Sequence, residues 1–98
     1  MTSQILLKYI QGLDEKLFKK HQPIAKSSID ELMGGVNDAL ELGRGDLRRY
    51  GCLLESTTRE IERAIRVVAH YAYIEEARVC VENYAKLEQQ EAGILTTI

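Results

Sequence analysis

The stretch Arg59–Tyr84, REIERAIRVVAHYAYIEEARVCVENY, sets how this chain folds. On a helical wheel at ~100° per residue, Leu47, Tyr50, Leu54, Thr57, Ile61, Ile65, Val68 and Ala72 fall within about 40° of the direction opposite His70. Beyond it, Tyr73, Ile74, Ala77, Val81 and Tyr84 fall within about 60° of His70 itself. The apolar stripe changes sides between Val68 and Tyr73, and charged Glu75, Arg78, Glu82 and Lys86 take over the vacated direction.

Two structures satisfy that switch. The chain can turn near 69–73, so that two helices fold their stripes into one core. Alternatively one helix continues, and its carboxyl half presents an apolar face that only another chain can cover. No Gly, Pro or clear cap marks a turn at the switch, which favours the continuous helix. On that reading His70, Tyr73, Ile74, Ala77, Val81 and Tyr84 form an interface with a protein partner or a second copy, because an exposed apolar patch of this size signals association.

Toward the amino terminus, Leu6, Ile10, Leu13 and Leu17 recur at four-three-four spacing and predict an amphipathic helix over about 3–20. The segment around Pro23 breaks the pattern. Ser28 with Glu31 reads as a capping box opening a second helix over about 29–42, with Gly34-Gly35 taken as a site of close backbone packing. That helix is expected to stop in LGRGD (42–46), where Gly43 and Gly45 permit a tight connection and Asp46 caps the next helix. The third helix is then predicted over about 46–90, with a break allowed near 56, from a second capping box at Thr57 and Glu60, or near 70. An apolar tail, 92–98, ends the chain. The expected fold is an all-α, small antiparallel helical bundle, a single domain over 1–98 with a long C-terminal helix, completed by oligomerisation.

Composition narrows the functional classes. Ninety-eight residues bury roughly 60 to 65% of their unfolded-chain surface, so a second copy or partner would add to a small core. With 13 basic and 15 acidic side chains the net charge of -2 fits neither a nucleic-acid sponge nor an anionic-membrane binder. No apolar run approaches the ~20 residues that span a bilayer. Cys52 and Cys80, with no leader before them, are expected to be free thiols in a reducing compartment, placing the chain in the cytoplasm.

The tempting cluster around His70 is a helix surface rather than a metal centre. His70 and Cys80 stand ~15 Å apart along a helix axis, whereas zinc ligands lie within ~2.3 Å of one ion. No CxxC, HxxxH or ExxH spacing occurs. No metal, cofactor or catalytic residue is expected, and Cys80 reads as a small core hydrophobe. Arg59, Arg63 and Arg66 recur at four and three on the His70 side, with Arg48 and Arg49 extending the ridge loosely. They are candidate phosphate contacts, although Glu55, Glu60 and Glu62 are placed to pair with them. The expected function is a non-catalytic protein–protein interaction module: an oligomerising adaptor, a small chaperone or an inhibitor of a larger partner, with a homodimer as the expected assembly. The alternative is a dimeric nucleic-acid-binding regulator that uses the arginine ridge.

Overall fold

The computed structural model describes residues 2–13, 26–72 and 74–97, and every regular element among them is a helix. They are α1 (Thr2–Gln11), α2 (Lys26–Tyr50), α3 (Glu55–Tyr71) and α4 (Ile74–Thr97). α2 packs on α3 and α4, α1 lies mainly on α4, and α3 touches all three of the others. No described helix is long and apolar enough to cross a membrane.

Each helix buries one stripe at three-four spacing. Leu6 and Ile10 enter from α1, Val36, Leu40 and Leu47 from α2, and Ile61, Ile65 and Val68 from α3. From α4 come Ile74, Ala77, Val81, Tyr84 and Leu87. Each large side chain withdrawn from water in this way contributes roughly 1.5 to 3 kcal/mol. The stripes on either side of His70 therefore meet in one core, and the continuous helix over 46–90 is not what forms. α3 ends at Tyr71. Ala72 (φ -116°, ψ -145°) donates its N–H to the Val68 carbonyl at 2.8 Å and then leaves helical geometry. Ala72 makes this exit without a positive φ, so it does not call for glycine.

The other break falls at residues 51–54, just before the expected one near 56. α2 runs straight through LGRGD and stops at Tyr50; Gly51 comes next with φ +73°, its N–H bonded to the Leu47 carbonyl at 3.1 Å. That left-handed position is the one glycine tolerates without penalty at a helix end. Gly43 serves another purpose. A Cβ added there would stand 2.5 Å from Leu87 Cδ2 and 3.3 Å from Leu53 Cδ2, so its bareness lets α2 approach α4 and the 51–54 turn. The close packing expected at Gly34-Gly35 is absent, since a Cβ at either would meet no described atom within 4 Å.

Helix starts are capped from a distance. The Glu88 carboxylate on α4 accepts the Thr2 and Ser3 N–H groups, each at 3.2 Å, satisfying the first amides of α1. Before α3, Asp46 accepts the Leu54 N–H at 3.1 Å and Glu91 accepts the Leu53 N–H at 2.6 Å, while Leu54 itself supplies no side-chain cap. Asp46 thus caps the approach to α3, but from inside α2. Neither expected capping box opens a helix: Ser28 lies in the first turn of a helix that starts at Lys26, and Thr57 is buried within α3. α1 ends at Gln11 rather than near Lys20, and the remainder of that prediction, with Leu17 and Pro23, falls outside the described residues. The 92–98 tail is not a separate segment, because α4 continues to Thr97.

Candidate functional site

Of the expected partner interface, Ile74, Ala77, Val81 and Tyr84 lie in the chain's own core, with Tyr84 only 1% exposed. That corrects the interface reading: α1, α2 and α3 already cover this face. Tyr73 falls outside the described residues. His70 alone remains at the surface.

His70 belongs instead to the outer face of α3. Its Nε2 and the Tyr9 hydroxyl share a hydrogen bond whose donor depends on the imidazole tautomer, and the two rings meet edge-on with centroids 5.8 Å apart. The Arg66 guanidinium lies 5.1 Å over the Tyr9 ring, a cation–π contact, while pairing with Glu62 at 2.7 Å. Tyr9 thereby fixes the directions of both Arg66 and His70. Arg59 pairs with Glu55 at 2.6 Å. Arg63, between them, has no ion-pair partner among the described residues.

These side chains line a shallow, open depression formed by Arg59, Glu62, Arg63, Arg66, Val67, His70 and Tyr71, the last 63% exposed. The helical spacing of the arginines and His70 made their common face legible. Tyr9 carried no such signal, because it reaches His70 from α1, sixty-one residues away in sequence. Glu62 and Tyr71 were readable as neighbours on the wheel, but their roles depend on which face the fold leaves open. Arg48 and Arg49 lie on α2 and do not line the depression.

The two thiols are free. Cys80 is 2% exposed, with its Sγ–H directed to Met33 Sδ at 3.5 Å, as a core hydrophobe would be. Burial, reinforced by the Glu76 carboxylate, pushes its pKa from 9.0 to about 11, so the nucleophilic thiolate is suppressed at neutral pH. Among the described residues no three His, Cys, Asp or Glu side chains converge to hold a metal ion.

The raised thiol pKa makes stability depend on pH. The unfolded thiol ionises at lower pH than the folded one, so stability is retained below pH 9.0 and lost as pH rises from 9.0 toward about 11. Burial pushes Tyr84 in the same direction. Urea denaturation is expected to show a loss of roughly 2 to 3 kcal/mol from Cys80 over that window, and the loss should shrink in Cys80→Ala.

Comparison with protein families, curated proteins and solved structures gives no match.

Proposed function

We propose that the protein is a non-catalytic interaction module, of the adaptor or inhibitor kind, that binds a protein partner on the outer face of α3, with a single carboxylate of that partner meeting Arg63. One observation carries the reading: Tyr9 holds Arg66 and His70 in place beside an uncommitted Arg63 and an exposed Tyr71. Arginine and tyrosine dominate the energetics of protein interfaces, and side chains already fixed in direction lose less entropy on binding. A partner carboxylate opposite Arg63 would find a cation with no ion-pair partner among the described residues. The small-chaperone reading needs a broad exposed apolar face, and the face that suggested it lies in the core.

Phosphate binding by the same ridge is less well supported. Arg59 and Arg66 are held by Glu55 and Glu62, whose carboxylates would face an incoming backbone of like charge. One uncommitted arginine does not make a nucleic-acid groove.

The test is the double variant Arg63→Glu with Tyr71→Ala. It is expected to keep the circular dichroism and melting temperature of the unmodified chain while weakening capture of the partner co-purified with that chain by at least ~30-fold. Undiminished capture would refute the α3 site. A mobility shift with mixed RNA or DNA whose salt slope falls when Arg59, Arg63 and Arg66 become Gln would replace this reading with the nucleic-acid one.

A further inference from the structure

Three glycines on α2, Gly34, Gly35 and Gly45, are unexplained by packing among the described residues, and two of them share one face. A Cβ at Gly35 would meet no described atom within 4 Å, and one at Gly45 only an Arg48 guanidinium nitrogen at 4.0 Å. A glycine inside a helix costs about 1 kcal/mol relative to alanine, and neither position gains a close contact in exchange. Gly35 and Gly45, unlike Gly34, lie in a longer stripe. Glu31, Gly35, Asp38, Leu42, Gly45 and Arg49 succeed one another at four-three-four-three-four spacing, within about 40° of one direction and away from the core residues Val36, Leu40 and Leu47.

That alternation is the spacing of a helix–helix seam, and it reads the same from either end. A second α2 laid antiparallel along the first therefore meets it in register. Glu31 comes opposite Arg49 of the second copy, Gly35 opposite Gly45, and Asp38 beside Leu42. In a parallel arrangement Glu31 would face Glu31 and Arg49 would face Arg49.

We infer that a second copy of this chain docks on the outer face of α2, forming a two-fold symmetric dimer with the two helices antiparallel. Symmetry presents the same patch on both copies, so each complementary pair occurs twice. Asp30 and Arg48 flank the seam with the same sense of charge, and neither they nor Glu31 and Arg49 are ion-paired among the described residues. Leu42, 55% exposed in the single chain, leaves water at the centre of the seam. The glycines let the two backbones approach where any side chain would hold them apart. Acidic residues early in a helix and basic ones late also complement the helix dipole, but that accounts for neither the bare glycines nor the exposed leucine. The contact uses no residue assigned to the α3 depression.

Sedimentation equilibrium of the full chain over the micromolar range tests it. The unmodified chain is expected to dimerise reversibly, more weakly as salt is added. E31R and R49E should each weaken association about tenfold or more, because each places like charges together at both ends of the seam, and the double variant E31R/R49E should recover to within about threefold. Gly35→Gln is the control for folding: it should raise the melting temperature, as a better helix former, while weakening the dimer. A monomer at every concentration, a dimer indifferent to E31R and Gly35→Gln, or a double variant no better than the single ones would overturn the inference.

Discussion

Val81→Asp is expected to unfold the chain as completely as Ile61→Asp. Both positions are closed to water, Val81 at 3% exposure and Ile61 at 0%, on α4 and α3 respectively. A carboxylate placed there without a partner costs several kcal/mol whether it stays ionised or takes up a proton, and a domain of this size has only about 5 to 10 kcal/mol of net stability. Circular dichroism should show both variants largely without helix at 25 °C. A Val81→Asp chain that kept its helicity and lost only self-association would return the carboxyl-terminal stripe to an intermolecular role. The same two substitutions distinguish the closed bundle from the continuous helix, because only the continuous helix makes Val81 a surface residue.

Glycines that look alike in the sequence are expected to respond in opposite directions. Gly43→Val should lower the melting temperature by more than ~10 °C, since even the first carbon of the new side chain would stand 2.5 Å from Leu87 Cδ2 and 3.5 Å from Ile61 Cδ1. Leu87 is itself buried in a close-packed core, so either its side chain leaves its place there or α2 moves off α4, and both cost stability. Gly35→Ala meets open space and should raise the melting temperature by a few degrees, corresponding to about 0.5 to 1 kcal/mol of recovered helix propensity. Thermal melts of the two variants at one low protein concentration give the comparison. Equal magnitudes are not required, but Gly43→Val at or above the parent would mean that α2 and α4 are not in contact at this point.

How much of the fold could be read in the sequence depends on how far each determinant acts along the chain. The helical class and the apolar stripes were legible because they depend on local spacing. So was the change of side after Val68, but a continuous helix satisfies that change as well as a chain turning back on its own core, and the absence of Gly, Pro or a cap favoured the wrong one of the two. The turn itself was hidden: Ala72 leaves the helix with φ -116°, without the positive φ that glycine would have announced. Glycine punctuation misled in the opposite sense, since Gly43 marks a close approach between helices while the connection comes later at Gly51. The capping box at Thr57 lost to Asp46 and Glu91, carboxylates from other helices that cap the approach to α3, and the one at Ser28 falls inside α2; Glu88 caps α1, where no local signal announced it. Of the candidate site, Arg59, Arg63, Arg66 and His70 shared a face by period alone. Its organising residue, Tyr9, comes from the other end of the chain and has no local pattern to announce it.

The carboxyl-terminal stripe closes the core of a single chain, and the two contacts we propose lie on the outer faces of α2 and α3. Cys80 reports on that closure, lying on the stripe between Ala77 and Val81, with Cys52, only partly buried, as the internal reference. The measurement is the alkylation rate of Cys80 at neutral pH, native against urea-unfolded, as the protein is diluted from micromolar to nanomolar concentration. The closed fold predicts strong protection of Cys80 that is unchanged over the whole dilution range, while Cys52 reacts throughout. Protection of Cys80 that disappears on dilution would show instead that a second chain was covering the stripe, and the single-chain core would have to be given up.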